Sequence, residues 1–508
     1  MTSANLFARM SSGIADPARL AIETPDGLSL SYGDLFDRAA QAANALTALG
    51  VMPGDRVAVQ VDKSPDMVVV YLACLRAGAV LLPLNTAYTL AELGYFLSDA
   101  APRLMICRPS SLEVVRNLAR TVGVAHVESL GIRRDGSFAA KIAGASDTFA
   151  TVPREGDDLA AILYTSGTTG RSKGAMLTHG NLQSNAAALA DLWRFDANDV
   201  LIHALPVFHT HGLFVAINVT LLAGARLIFF PAFDADAIVA ALPRATVLMG
   251  VPTFYVRLLG HAGLTRETTA GIRLFVSGSA PLLQETHLAW RDRTGHAILE
   301  RYGMTETNMI TSNPYAGERR AGTVGFPLPG VDLRIADPET GVELARGSTG
   351  MIEVRGPGVF RGYWNMPEKT QQEFRPNGFF ITGDLGKIDD DGYVQIVGRA
   401  KDLIISGGFN VYPVEVEAEV DALDDVLESA VIGLPHPDFG EGVAAIVVAA
   451  PGADLSEHTI LDALKDRLAR YKQPKRVIVV EALPRNAMGK VQKAALREAY
   501  SDLFSAQA

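Results

Sequence analysis

Tyr164-Thr-Ser-Gly-Thr-Thr-Gly-Arg-Ser-Lys-Gly174 directly follows an apolar run, Leu159 to Leu163. The run reads as a strand, and the polar stretch as the loop that leaves it. Residues this small let backbone N–H groups approach phosphate oxygens closely, and the hydroxyls add further donors. Lys173 adds positive charge. The spacing G-x-x-x-x-G-K-[ST] is absent, so this is not a Walker loop. A loop of this composition leaving a strand predicts an α/β architecture with a phosphate site at a strand end.

The surrounding chain agrees. Gly33 to Leu49 has helical spacing and stops at Gly50; Val57 to Val61 reads as a strand, Pro65 to Ala77 as a helix, and Ala79 to Leu82 as a strand. Thr89-Leu-Ala-Glu92 has the form of a capping box and opens the next helix. Leu104 to Cys107 is again strand-like. Strands alternating with helices predict parallel sheets covered on both faces. After residue 320 the pattern changes. Gly350 to Val354 and Gly392 to Val397, set among Gly/Pro-rich turns, predict a β-rich region. Past residue 400 an independent αβ pattern runs through Pro413–Ala422, Val426–Ile432, Val443–Val448, Thr459–Ala469 and Arg476–Val480.

Bulk properties narrow the class. A chain of 508 residues suits about three domains, or one large domain with a smaller one attached. A net charge of −10 argues against nucleic acid or an anionic membrane as partner. Cys74 and Cys107 lie in apolar stretches and read as small buried hydrophobes. With no paired-cysteine framework and no secretory start, a reducing, cytoplasmic setting is expected. Leu213 to Ala225 is too short and too polar to span a membrane and reads as a core helix.

Three further motifs follow the loop in order: Glu300-Arg-Tyr-Gly-Met-Thr-Glu-Thr307, Ile381-Thr-Gly-Asp-Leu385 with Gly398-Arg-Ala-Lys-Asp402, and Pro484-Arg-Asn-Ala-Met-Gly-Lys490. Together the four resemble the adenylate-forming superfamily of acyl-CoA synthetases, coumarate:CoA ligases, luciferases and peptide-synthetase adenylation domains. The resemblance implies a large N-terminal domain, 1–399, of αβ-layered parallel sheets with a β-rich subdomain. A hinge, 400–402, and a small mobile C-terminal α+β domain, 403–508, follow. The implied reaction joins a carboxylate to the α-phosphorus of ATP and passes the acyl group to the thiol of coenzyme A. Both first-step partners are anionic, so the site must gather positive charge and aligned donors.

By the same resemblance, Thr165, Ser166, Gly167, Thr168, Thr169, Gly170 and Lys173 form the phosphate loop. Thr305 bonds the α-phosphate, and Glu306 with Thr165 holds Mg²⁺, a hard ion suited to oxygen ligands. Tyr302 stacks on adenine beside Gly303, while Gly278, Ser279, Ala280 and Glu300 line the adenine site. Asp384 accepts the ribose hydroxyls with Arg399 in support. Lys490 reaches both the attacking carboxylate and the α-phosphate. It must swing in for the first step and out for the second, about Lys401 and Asp402, after which Ser406, Gly407 and Gly408 line the path of the CoA thiol. Family members are switched off by acetylation of the matching lysine, which would make an acetyltransferase and a deacetylase partners at Lys490.

Arg301 departs from the pattern, because coumarate ligases and luciferases carry glycine there. A guanidinium would shorten the acyl pocket and place a fixed charge at its end. It would be costly to bury unless a second carboxylate on the substrate met it; pairing with an internal acid such as Glu300 is the competing arrangement. Arg257 is a second candidate for that carboxylate. Thr210 and Met309 are expected to flank the C2 of the acid, Ser277 to line the pocket, and His209 to act as its gate. His209 and His211 lack the acidic or thiol neighbours of a zinc site. Val276–Leu282 and Arg319–Val331 further resemble malonyl-CoA and methylmalonyl-CoA synthetases. A malonate ligase, extending to methylmalonate, is therefore expected. The alternatives are a synthetase for another small, aromatic or medium-chain acid, or a free-standing adenylation enzyme serving a carrier protein.

Overall fold

The computed structural model describes residues 3–165, 172–486 and 489–504. Ser166, Gly167, Thr168, Thr169 and Gly170 of the expected phosphate loop lie outside the described residues. Among those described, the strands form four sheets.

One six-stranded sheet runs, in spatial order, His126–Ser129, Leu104–Cys107, Arg56–Gln60, Val80–Pro83, Leu159–Thr165 and Lys173–Thr178. Its pairs are parallel except the last, which closes as an antiparallel hairpin around the phosphate loop. Strand alternation sends Val57 and Val59 to one core, while Ala58 joins Val80, Leu82, Met105 and Ile162 in another. A nine-stranded sheet runs Phe326–Pro327, Asn308–Ser312, Leu299–Met304, Leu274–Ser277, Val247–Gly250, Val200–His203, Arg226–Phe229, Leu20–Glu23 and Ser29–Ser31, parallel in the middle and antiparallel at both ends.

Helix Pro65–Ala77 packs in the core shared by these two sheets and buries every residue except Arg76. A helix apolar all round belongs in such a place. It ends at Gly78, whose φ of 68° is the left-handed stop that glycine permits. Capping boxes start the helices at Ser31 with Asp34 and at Thr89 with Glu92.

The stretch expected as a single core helix differs. His211–Ile217 winds as a π-helix before Asn218–Leu222 resumes α geometry. The cause is a tertiary contact: His203 Nε2, from the strand Val200–His203, lies 2.8 Å from the Gly212 carbonyl oxygen and competes with the regular ladder for it. Position 212 must be glycine, since a Cβ there would sit 2.0 Å from the Pro206 carbonyl oxygen.

The β-rich region is a four-stranded antiparallel sheet, Asp332–Ala336, Gly350–Arg355, Phe380–Ile388 and Val394–Arg399. Its third and fourth strands pair Asp384 with Arg399. Glu353, fully buried in the second strand, is bonded by Arg334 (2.6 Å) and Arg375 (2.7 Å). The short turn Ala400–Asp402 leads into a further sheet in which Gly440–Ala449 pairs with Val426–His436 and, in parallel, with Arg476–Val480. This sheet carries its own apolar clusters on both faces. Asp402 is paired with Arg497 of the last helix.

Replacing Glu353 by alanine leaves two half-buried guanidinium groups without their acid. The expected loss is about 3 kcal/mol of stability, read as a lower urea midpoint. A midpoint within error of the parent would show that the pair does not hold this sheet together.

Candidate active site

The site forms where strand Leu299–Met304 ends. Residues alternate sides along this strand, so neighbours Glu300 and Arg301 face opposite ways. Glu300, 7% exposed, points to His287, 3.5 Å away. The competing arrangement, an internal Glu300–Arg301 pair, is therefore not formed.

Arg301 is 4% exposed, and no ion pair reaches it among the described residues. Its Nε and Nη2 lack a hydrogen-bond partner. Burial pushes its guanidinium down to about 9, which leaves it charged at neutral pH. It lies directly over Gly278: a Cβ at that position would be 2.3 Å from the guanidinium carbon. Gly278, read from sequence as adenine lining, is thus also the space that Arg301 occupies.

The walls are short of partners too. Thr210 Oγ1 and Ser277 Oγ are buried and unbonded. Met309 is 2% exposed on the returning strand. His209 is held neutral, down to about 4, by burial, then Arg301, then Lys490. His211 Nδ1 lies 3.2 Å from Ser279 Oγ, and Ser279 takes a φ of 73°, unusual for a non-glycine residue and a mark of local strain at a site.

Arg257 is a correction. Helix Pro252–Leu259 buries Phe254, Tyr255 and Leu258, which turns Arg257 outward. There it is exposed, 5.7 Å over the Phe233 ring, rather than buried as Arg301 is. The same helix supplies a residue that sequence reasoning passed over. Tyr255 is fully buried, donates to the Val276 carbonyl (2.7 Å), and lies within electrostatic reach of Arg301. Its apolar surroundings in the sequence gave no signal.

Beyond Arg301, a bulge between Tyr302 and Gly303 re-aims the chain. Gly303 permits it, because a Cβ would meet the Asn308 carbonyl oxygen at 2.1 Å. Tyr302 donates to Asp384 Oδ2 at 2.5 Å, and Arg399 Nε sits 2.9 Å from Asp384 Oδ1. Thr305 occupies the following turn, half-buried. Glu306 is 5% exposed; burial raises its carboxyl above the usual range. Thr165 Oγ1 (3.4 Å) and the Tyr363 hydroxyl (3.1 Å) both approach Glu306 Oε1. One buried carboxylate beside a hydroxyl fits Mg²⁺ whose other positions go to phosphate and water.

Lys490 comes from the far end of the chain. Its amide donates to Asn486 Oδ1, closing a tight turn with Gly489 at φ 73°. A Cβ on Gly489 would touch Thr253 Oγ1 at 3.1 Å, so the turn lies against the large domain. Burial, then Arg399, lower Lys490 to about 8, with Asp384 acting in the opposite sense. It is therefore Lys490 that is gathered toward Asp384, Arg399 and His209. Lys401 is exposed beside Asp402. Ser406 is buried in the C-terminal sheet, and Gly407 and Gly408 are exposed with φ of 59° and 82°. Gly407 donates to the Phe439 carbonyl there.

Two family models match the chain: "AMP-binding enzyme" over residues 14–364 and "AMP-binding enzyme C-terminal domain" over residues 415–490. A malonate–CoA ligase of Arabidopsis thaliana is 35% identical, covering 94% of this chain and 86% of that protein. A feruloyl-CoA synthase of Amycolatopsis sp is 37% identical, covering 93% and 94%. The crystal structure of ATP-bound MatB from Rhodopseudomonas palustris superposes with a TM-score of 0.97 at 61% identity, covering 99% of this chain and all of that one.

A lysine depressed in this way is charged below its pKa and loses the charge above it. The kcat/KM for malonate-dependent ATP–pyrophosphate exchange, which reports the free enzyme, should therefore hold below pH 7 and fall through a midpoint near pH 8. A rate still flat at pH 9 would remove the Lys490 ammonium from the first step.

Proposed function

The chain belongs to the AMP-binding enzyme family, and from that premise we propose that it is an AMP-forming malonate–CoA ligase. It consumes ATP and coenzyme A, uses Mg²⁺, and releases AMP and pyrophosphate. The observation that carries the choice of acid is the buried guanidinium of Arg301, which no acid among the described residues meets.

One carboxylate of malonate meets Arg301, and Thr210 and Ser277 offer their unbonded hydroxyls nearby. The other carboxylate attacks the α-phosphorus of ATP, and pyrophosphate leaves. Lys490 contacts the attacking oxygen and the α-phosphate, where its charge offsets the repulsion of two anions. Thr305 donates to the α-phosphate, Tyr302 stacks on adenine, and Asp384 holds the ribose. Glu306 and Thr165 would hold the Mg²⁺, which would supply charge neutralisation at the phosphates. The C-terminal domain, 403–508, then turns about residues 400–402. That turn withdraws Lys490 and brings Ser406–Gly408 to the thiol path. The CoA sulfur attacks the acyl carbon and AMP leaves. Thr210 and Met309 bound the C2 of the acid and admit methylmalonate. Lys490 is also the acetylation target through which an acetyltransferase and a deacetylase would set the activity.

Among the described residues no helix is long and apolar enough to cross a membrane. Both cysteines are free and buried, with thiols raised to about 12 and 11 by desolvation, as suits a reducing cytoplasm.

In a pyrophosphate-release assay with CoA, malonate should exceed acetate, succinate and coumarate, with methylmalonate second. Arg301→Met should lower malonate kcat/KM at least ~100-fold by leaving the second carboxylate unmet. It should also raise the melting temperature of the ligand-free protein, because an unpaired buried charge is replaced by an apolar chain of similar volume. Coumarate as the best acid, or unchanged malonate kinetics in the variant, would overturn the diacid assignment.

Lys490→Ala should abolish adenylate formation while thioester formation from supplied malonyl-adenylate persists. Equal loss of both steps would refute the domain rotation.

A further inference from the structure

Tyr363 is 2% exposed, its ring packed 4.8 Å edge-on to Phe360. Its hydroxyl sits among three charged groups: Glu306 Oε1 at 3.1 Å, Glu373 Oε2 at 2.5 Å and Lys173 Nζ at 3.1 Å. A phenol has one proton to donate, and two carboxylates approach it. They are unequally placed. Glu373 has two cations of its own, Lys173 at 2.8 Å and Lys369 at 3.1 Å. Glu306 takes part in no ion pair among the described residues, and its other side-chain donor is the Thr165 hydroxyl at 3.4 Å. The phenol proton is held most closely by Glu373 and is shared with Glu306, the carboxylate that has no cation paired to it among the described residues.

We propose that Tyr363 is a positioning residue of the nucleotide site: its hydroxyl fixes the carboxylate of Glu306 in the orientation that receives the metal, and the Lys173–Glu373 pair anchors that hydroxyl. This rests on the assignment of Glu306 as the metal carboxylate. Three separate stretches of chain meet at the phenol. The strands Leu159–Thr165 and Lys173–Thr178 give Thr165 and Lys173, the turn after Leu299–Met304 gives Glu306, and the connection between the second and third strands of the β-rich sheet gives Tyr363 and Glu373. Partners one shell out from a metal typically set its affinity by 10- to 100-fold. A phenol this buried, with its ring already packed, loses little freedom in holding such a bond.

The test is Tyr363→Phe, which removes one oxygen and keeps the ring. ATP binding is measured by calorimetry on the full chain, once in EDTA and once in excess Mg²⁺. In the parent, Mg²⁺ should tighten ATP binding. In the variant, the EDTA value should stay within 2-fold, and the gain from Mg²⁺ should shrink by roughly 10-fold or more. KM for MgATP should rise while kcat at saturating MgATP changes less than 3-fold. A role confined to stability would move the melting temperature and leave the Mg²⁺ increment alone. A full Mg²⁺ gain in the variant overturns the proposal and spares the functional reading. No Mg²⁺ gain in the parent overturns the assignment of Glu306, and the proposal with it.

Discussion

A positive charge shut away from water, with no acid among the described residues to meet it, is the constraint around which the acyl end of this protein is arranged. Arg301 is buried, charged at neutral pH, and short of two hydrogen bonds. Such a group is destabilising by itself. Two neighbouring histidines accommodate it by staying neutral, since burial and the guanidinium together disfavour their charged forms. Buried hydroxyls of Thr210 and Ser277 are likewise left unbonded. The pocket is thus built to be completed from outside, by an anion with further acceptors.

The nucleotide end follows the opposite rule. There several described side chains are already held in place: Tyr302 and Arg399 hold Asp384, while Lys173 and Tyr363 hold Glu373. Fixed dipoles and charges of this kind need little rearrangement when the reaction generates charge. Lys490 comes to this end from the C-terminal part of the chain, next to Gly489, which lies against Thr253.

Much of this was legible in the sequence, for identifiable reasons. Helix Pro65–Ala77 and the strands Leu104–Cys107 and Arg476–Val480 appear where their patterns placed them, because apolar runs bounded by glycine or polar residues leave little choice. The capping box at Thr89 formed because Thr and Glu at that spacing satisfy each other's backbone donors. Arg257 misled because helical phase, set by which face Tyr255 buries, cannot be read from one short helix. The π-helix at His211 was hidden because its cause is a tertiary bond from His203. Tyr363 and Glu373 lie close together in a polar stretch, and only the fold brings Lys173 and Glu306 to them.

The close approach of Arg301 to Gly278 has a consequence for how such an enzyme can change its diet. With the guanidinium carbon 2.3 Å from where a methyl would stand, any side chain at 278 forces the end of the arginine to move. The two sites must drift as a couple in descent. A lineage that fills position 278 must also move or replace the arginine, so a change at one position alters the diacid site at the other.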